Sequence, residues 1–157
     1  MTQSTPFGGR QPSVLLIEDN PGDVLLIQRA FNQCDDRILL RVVRNGTEAD
    51  KELRAIDANS VWLRPDLILL DISLPAINGL ELLRIAKEGD SLRRIPLVIL
   101  TNSNSDRDLR TALDLHANTY LCKPQTYDEL QGMVRRLIDY WFNTAYLIEN
   151  PSPSVAS

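Results

Sequence analysis

The feature that most constrains the fold is a run of four large apolar residues, Leu67-Ile68-Leu69-Leu70, between two acids, Asp66 and Asp71. A strand that is apolar on both faces must be covered on both faces, which is typical of the central strands of a parallel sheet. Val14–Ile17 and Leu97–Leu100 have the same character. The sequence therefore predicts a parallel sheet enclosed between two layers.

Segments with helical spacing alternate with these apolar runs along the chain. Asn20-Pro21 is typical of a helix start, and Thr126-x-x-Glu129 is a capping box that begins the last helix. The five predicted strands are Val14–Ile17, Leu39–Val43, Asp66–Asp71, Leu97–Leu100 and Thr119–Leu121. Five strand–helix repeats predict an α/β fold with helices on both faces of the sheet.

The length of 157 residues suits one domain, which we place at residues 13–149. A polar segment, 1–12, precedes it and is expected to be flexible, and a Pro/Ser-rich tail, 150–157, follows it and is expected to be disordered. The net charge of -4 argues against nucleic acid as a partner. No apolar run approaches the roughly 20 residues of a membrane span. Two cysteines without metal-ligand spacing indicate reduced thiols in a cytoplasmic protein.

Charged and polar side chains follow four of the predicted strands at the point where each strand ends. They are Glu18-Asp19, Asp71, Thr101 and Lys123. Carboxyl ends of parallel strands meet at one edge of a sheet, where sites form in α/β folds. Each residue alone has an ordinary explanation, such as an acid at a helix start or a solvated lysine. Their joint occurrence favours a site.

The types of side chain at this edge suit phosphoryl transfer. Clustered carboxylates need a cation, and a set of oxygen ligands favours Mg²⁺, held by Asp19, Asp71, a carbonyl just after Asp71 and, directly or through water, Glu18. A metal alone would not require Thr101 and Lys123. An aspartyl phosphate would, because its formation spreads negative charge that a lysine and a hydroxyl can stabilise. Asp71 is therefore the candidate nucleophile.

The motifs around these residues resemble the receiver domains of two-component response regulators over about residues 13–137. They are Val14-Leu-Leu-Ile-Glu-Asp-Asn-Pro, Leu67-Ile-Leu-Leu-Asp-Ile-Ser-Leu-Pro-x-x-Asn-Gly, Ile99-Leu-Thr and Tyr120-Leu-Cys-Lys-Pro. The resemblance implies a flavodoxin-like (βα)5 fold with strand order 2-1-3-4-5. It also implies a histidine kinase as the phosphoryl donor.

The same resemblance implies a role for each site residue. Asp71 would be the phosphoacceptor, and Thr101 and Lys123 would contact the phosphoryl group. The ligands of Mg²⁺ would be Glu18, Asp19, Asp71 and the backbone carbonyl of Ser73. The Lys123–Pro124 peptide bond would be cis.

Tyr120 matches the aromatic residue that acts as a switch in this family. Phosphorylation would draw the Thr101 hydroxyl inward, and Tyr120 would rotate into the vacated space. The alternative is a half-buried tyrosine with no moving part. One departure from the family pattern is Asn102, because the residue after the switch threonine is usually small and gives the phosphoryl group access. We expect Asn102 to slow phosphotransfer or dephosphorylation.

A narrower resemblance points to the small response regulators that are paired with cyanobacterial phytochromes. The matching segments are Asn20-Pro-Gly-Asp, Asp114-Leu-His-Ala-Asn and Tyr140-Trp-Phe-Asn-Thr-Ala. This resemblance implies a phytochrome histidine kinase as the partner.

The last predicted helix carries more apolar surface than one sheet can cover. Its inward stripe comprises Leu130, Met133, Val134, Leu137, Ile138, Trp141 and Ala145. Further aromatic residues lie on other faces of the helix, and clustered exposed aromatics indicate an interface. We expect a homodimer whose interface includes Tyr140, Trp141, Phe142 and Tyr146. The alternative is an extension that folds back on its own domain.

The residues at the strand ends are compatible with three classes of protein. The first is a phosphoryl-accepting signalling protein without an output domain, which catalyses only its own phosphorylation and dephosphorylation. The second is a receiver-like module that is never phosphorylated and acts in protein binding or dimerisation. The third is a hydrolase with an aspartyl nucleophile, which requires a second acid two residues after the nucleophile to act as general acid and base. Ser73 occupies that position, so the first class is favoured.

Overall fold

The computed structural model describes residues 10–59, 64–75 and 77–144. The strands are β1 (Ser13–Ile17), β2 (Leu39–Val43), β3 (Leu67–Leu70), β4 (Leu97–Thr101) and β5 (Thr119–Cys122). The helices are α1 (Pro21–Cys34), α2 (Gly46–Asp57), α3 (Gly79–Glu88), α4 (Asp106–Asp114) and α5 (Tyr127–Ile138). A 3-10 turn at Leu92–Arg94 precedes β4, and a π-helical turn at Asp139–Thr144 follows α5. The predicted strand–helix alternation is confirmed.

All strands are parallel and lie in the order β2-β1-β3-β4-β5, which confirms the flavodoxin-like topology. Side chains of the central strands alternate between two cores. In β1, Leu15 and Ile17 face α2, α3 and α4, whereas Val14 and Leu16 face α1 and α5. β3 is fully buried on both faces, as its continuous apolar run predicts.

Side-chain caps fix where the helices begin. The Asn20 side chain accepts a hydrogen bond from the Asp23 N–H at 3.0 Å, and Pro21 is the first residue of α1. Thr126 accepts from the Glu129 N–H at 3.3 Å at the start of α5. These caps satisfy N–H groups that a helix leaves unpaired, and they confirm the predicted helix starts.

The end of α4 is closed by a Schellman motif with a histidine where glycine is usual. The Ala117 N–H donates to the Ala112 carbonyl and the His116 N–H donates to the Leu113 carbonyl, each at 3.0 Å. His116 adopts a φ of 69° and is exposed. A side chain at this left-handed position is strained, because its Cβ crowds the backbone.

Replacing His116 with glycine is therefore expected to raise the free energy of unfolding by about 1 kcal/mol, as measured by urea denaturation. A matched control is Gln28→Gly on the exposed face of α1, which is expected to lower it by about 1 kcal/mol. If both glycines destabilise the protein equally, the strain at His116 is not relieved by glycine.

The loop between β3 and α3 is packed tightly around a glycine. Ile72 and Leu74 are buried and hold the loop on the core. The Gly79 N–H donates to the Ile72 carbonyl at 3.3 Å. A Cβ at Gly79 would lie 2.3 Å from the Ile72 Cα and 2.8 Å from the Asp71 carbonyl oxygen. The start of α3 therefore rests directly on the backbone that follows β3.

The π-helical turn carries the chain beyond α5 back onto its own domain. Phe142 is only 3% exposed and packs in the core formed with α1 and α5, and Trp141 is half-buried against the same core. The sequence places Trp141 on the inward stripe and Phe142 on another face. The second placement is wrong, because the wider π turn rotates the buried face by about one residue.

Cys34 ends α1 and Cys122 ends β5, and both are free thiols. Among the described residues, no helix combines the length and the apolar character that a membrane span requires. The predicted segments 1–12 and 150–157 lie wholly or mostly outside the described residues, so the domain boundaries stay predictions.

Candidate functional site

Asp71 follows β3 and is 4% exposed, with both carboxylate oxygens hydrogen-bonded. Oδ1 accepts from the Ser73 N–H at 2.9 Å and from the Thr101 hydroxyl at 2.8 Å. Oδ2 accepts from the Lys123 ammonium at 2.8 Å. The ends of β3, β4 and β5 therefore bring a nucleophile, a hydroxyl and a cation together, as the parallel sheet predicts.

Lys123 lies at the centre of three carboxylates. Its Nζ is 2.6 Å from Glu18 Oε2, 2.8 Å from Asp23 Oδ2 and 2.8 Å from Asp71 Oδ2. The side chain is only 7% exposed, so these contacts are poorly screened by water. The Lys123 N–H donates to the Thr101 carbonyl at 2.7 Å, which fixes the start of the lysine relative to β4.

Burial and ion pairing act against each other on the charges of the site. Burial lowers the pKa of Lys123, but its hydrogen bonds to Asp23, Asp71 and Glu18 outweigh burial and raise it above the usual value. Burial raises the pKa of Asp71, yet the hydrogen bonds from Lys123 and Ser73 hold it below its usual value. The lysine is thus charged and the aspartate ionised at neutral pH, as a nucleophile and its electrostatic partner must be.

Glu18 differs from Asp71 in its ionisation. It is 1% exposed, and burial raises its pKa to about 7, with the negative charge of Asp71 adding to the shift. Hydrogen bonds from Lys123 and the Asn20 N–H oppose this rise. A cation that binds near Glu18 would favour the ionised form of this carboxylate and so lower its raised pKa.

Glu18, Asp19 and Asp71 form a cluster that fits a divalent metal ion. One carboxylate oxygen from each lies within 4.8 Å of the others. Oε2 of Glu18 is buried, and its partner among the described residues is the Lys123 ammonium at 2.6 Å. The donors are all carboxylate oxygens, which are the ligands of hard cations such as Mg²⁺ or Mn²⁺.

Thr101 and Tyr120 are joined through Ser103. The Thr101 hydroxyl, turned toward Asp71, accepts from the Ser103 N–H at 3.3 Å and lies 3.2 Å from the Ser73 hydroxyl. The Tyr120 hydroxyl donates to the Ser103 carbonyl at 3.0 Å, and its ring packs against the core under α4. Thr101 is thus fully buried beside Asp71, and Tyr120 is half-buried at the end of the same chain of contacts.

Two residues of this region carry contacts that the sequence did not reveal. Asp23 reaches Lys123 from the first turn of α1, and Ser103 connects Thr101, Tyr120 and Asp108, whose carboxylate accepts from the Ser103 hydroxyl at 2.7 Å. The sequence places Asp23 near the site, because it lies in the first helical turn after β1, but no local pattern indicates its contact with Lys123. Ser103 could not be recognised from the sequence, because its contacts with Thr101 and Tyr120 are made by its backbone N–H and carbonyl and not by its side chain.

Other sequence expectations meet different outcomes. The Lys123–Pro124 bond is trans, so the expectation of a cis bond is wrong, and the ammonium reaches Asp71 from the trans form. Asn102 is exposed beside Thr101, and its effect on rates stays a prediction. The same holds for the metal role of the Ser73 carbonyl.

The four aromatic residues predicted at a dimer interface lie in different environments. Tyr140 is 56% exposed, and its ring packs edge-on against that of half-buried Trp141, with centroids 4.8 Å apart. Phe142 is buried in the core of its own domain and offers almost no surface to a partner. Tyr146 lies outside the described residues. Of the described three, Tyr140 offers the most contact area.

Two curated relatives cover most of the chain. The probable methanogenesis regulatory protein FilR2 of Methanothrix harundinacea is 39% identical over 128 residues, which is 82% of each protein. The response regulator Rcp1 of Synechocystis is 34% identical over 134 residues, which is 85% of this chain and 91% of Rcp1.

Solved structures of similar response regulators have the same fold as this chain. The phosphorylated cyanobacterial phytochrome response regulator RcpA superposes with a TM-score of 0.82 at 36% identity, covering 89% of this chain and 100% of RcpA. The Mn²⁺-bound form of Rcp1 gives a TM-score of 0.79 at 33% identity, covering 88% and 99%. The family profile of the response regulator receiver domain matches residues 14–135. With the five-stranded fold and the acidic edge already described, this chain belongs to the response regulator receiver domain family, and so to the signalling proteins of two-component systems.

Proposed function

We propose that this chain accepts a phosphoryl group on Asp71 from a histidine kinase in a Mg²⁺-dependent reaction. The observation that carries the proposal is the arrangement around one buried carboxylate. Asp71 shares an acidic cluster with Glu18 and Asp19 and also accepts hydrogen bonds from Lys123 and Thr101. A metal-binding side and a phosphoryl-binding side thus meet at a single nucleophile.

The transfer step uses few groups. A carboxylate oxygen of Asp71 attacks the phosphorus of a phosphohistidine, the P–N bond breaks, and the imidazole nitrogen keeps the electron pair. Mg²⁺, held by Glu18, Asp19, Asp71 and the Ser73 carbonyl, would neutralise negative charge on the carboxylates and the phosphoryl oxygens. Lys123 and Thr101 supply hydrogen bonds to those oxygens. Burial of these groups strengthens each interaction relative to water.

Metal dependence is the direct test of this proposal. The protein incubated with Mg²⁺ and a small acyl phosphate is expected to gain the mass of one phosphoryl group. Chelation of the metal should lower the rate of adduct formation about a hundredfold, because the carboxylates then repel the donor. The measurement is intact mass against time, with restored Mg²⁺ as the control. If no adduct forms, with either this donor or a cognate kinase, the alternative of a non-phosphorylated binding module is favoured.

We further propose that the donor is a phytochrome histidine kinase. This rests on the similarity to Rcp1 and RcpA. Such a kinase draws its phosphoryl group from ATP, which places the reaction in the cytoplasm, where the free thiols Cys34 and Cys122 would stay reduced. Transfer from a ³²P-labelled cyanobacterial phytochrome kinase, compared with an unrelated kinase, tests the pairing.

The switch proposal assigns signal transmission to Thr101 and Tyr120. It is supported by the contacts that both residues make with Ser103. Phosphorylation would hold the Thr101 hydroxyl inward and so favour the inward position of Tyr120. The face built by α4, β5 and α5 would change shape with it.

We propose that this face, with the π-helical turn, forms a homodimer and not a nucleic-acid interface. Leu113 on α4 is 49% exposed, Tyr140 is 56% exposed, and β5 is an edge strand.

Tyr140→Ala is expected to weaken the dimer at least about tenfold, since aromatic residues often dominate interfaces. Sedimentation equilibrium measures the dissociation constant of the dimer. The control is Leu25→Ala on α1, where the leucine is 66% exposed. A wild-type protein that is monomeric at every concentration, phosphorylated or not, would exclude the dimer.

A further inference from the structure

Asp23 is the partner of Lys123 that the proposed chemistry leaves without a role. It is the third residue of α1, and its side chain is 30% exposed at the mouth of the site. Its Oδ2 lies 2.8 Å from the Lys123 Nζ, with hydrogen-bond geometry. The contact joins residues that are 100 positions apart, so the tertiary fold and not local sequence brings them together.

The other two carboxylates that face Lys123 belong to the metal cluster. Glu18 and Asp71 each contribute an oxygen to that cluster, whereas Asp23 does not. A metal ion would draw both of them away from the ammonium, and phosphorylation would consume one oxygen of Asp71. Asp23 is then the one carboxylate among the three that remains free to hold the lysine.

Asp23 sits on a rigid support. Its own N–H is bound by the Asn20 side chain at 3.0 Å, and the next residues of α1, Val24 and Ile27, are 1% exposed. A side chain on a fixed helix start can hold a partner more precisely than one on a loop. The position of the Asp23 carboxylate is therefore set by α1, and the carboxylate can restrict the position of the Lys123 ammonium.

We propose that Asp23 is a positioning residue that keeps the Lys123 ammonium at the phosphoryl-binding side when the metal and the phosphoryl group engage Glu18 and Asp71. This inference rests on the proposed function. Asp23 itself contacts neither the metal cluster nor the reacting atoms, so its effect on phosphorylation passes through Lys123.

The first test needs no phosphorylation. In the protein loaded with Mg²⁺, the hydrogen exchange of the Lys123 ammonium with water is followed by ¹⁵N NMR. Asp23→Ala should accelerate this exchange about tenfold, and Asp23→Asn, which keeps an oxygen acceptor, should accelerate it less. The matched control is Glu48→Ala, because Glu48 is also the third residue of its helix, with its N–H bound by the Asn45 side chain. Equal exchange in the wild type and Asp23→Ala would overturn the inference, whatever the phosphorylation result.

The second test measures the rate of adduct formation with an acyl phosphate. Asp23→Ala should lower that rate about tenfold, with partial recovery in Asp23→Asn and no change in Glu48→Ala. In a Lys123→Met background, adding Asp23→Ala should have no further effect. An equal loss in both backgrounds would show an action independent of Lys123 and overturn the inference. If the wild type forms no adduct while the exchange result holds, the proposed function fails and the positioning contact stands.

Discussion

Asp71→Asn is expected to lower the rate of phosphoryl adduct formation by at least about a thousandfold, because the substitution removes the nucleophile. The fold should survive the change. In the wild type, Oδ1 of Asp71 accepts hydrogen bonds from the Ser73 N–H and the Thr101 hydroxyl, and the amide oxygen of asparagine can accept the same two bonds. Intact mass after incubation with Mg²⁺ and an acyl phosphate measures the effect, and circular dichroism verifies folding.

The chain offers a matched control at the other end of the same strand. Asp66 precedes β3 and accepts from the Ser13 N–H at 2.8 Å, far from the acidic cluster along the strand. Asp66→Asn removes the same charge and should leave the adduct rate within about twofold of the wild type. An adduct of undiminished yield on Asp71→Asn would place the phosphoacceptor elsewhere.

The second large effect is expected from one added methyl group. Gly79→Ala should lower the free energy of unfolding by about 2–3 kcal/mol. A Cβ at this position would meet the backbone of Ile72 at 2.3 Å, and backbone cannot rotate away as a side chain can. The displaced segment includes the Asp71 carbonyl, so the adduct rate should also fall, by about tenfold. Urea denaturation and intact mass measure the two effects.

Gly132→Ala is the corresponding control. Gly132 lies within α5, and a Cβ there would meet only the end of the Arg136 side chain, at 3.5 Å. Alanine should therefore raise the free energy of unfolding by about 0.5–1 kcal/mol, since it favours the helix. If both alanines act alike, close packing at Gly79 is not what makes glycine necessary there.

The fold could be predicted from the sequence because its strongest signals are local. The apolar run of β3, the Asn20 cap and the Thr126 capping box each depend on neighbouring residues. The site followed from topology, since parallel strands place Asp71 and Lys123 at one edge. The resemblance to a known family supplied the strand order.

What could not be predicted depends on distances across the fold. The Asp23 contact with Lys123 requires the orientation of α1 relative to β5, which no local pattern encodes. The burial of Phe142 requires a π turn, and a wider turn breaks the 3.6-residue period on which helical stripes are assigned. The sequence therefore overestimates the exposure of Phe142, whereas Tyr140 is exposed as expected.

Three carboxylates, of Glu18, Asp23 and Asp71, surround the ammonium of Lys123, and Asp19 adds a fourth acid to the adjoining cluster; this excess of negative charge has a thermodynamic consequence. Any cation that binds the native arrangement and not the unfolded chain shifts the folding equilibrium by mass action. At a free concentration ten times its dissociation constant, such an ion adds about 1.4 kcal/mol of stability. The melting temperature of this domain would then report divalent-ion concentration, which makes the ion a partner in folding as well as in phosphoryl transfer.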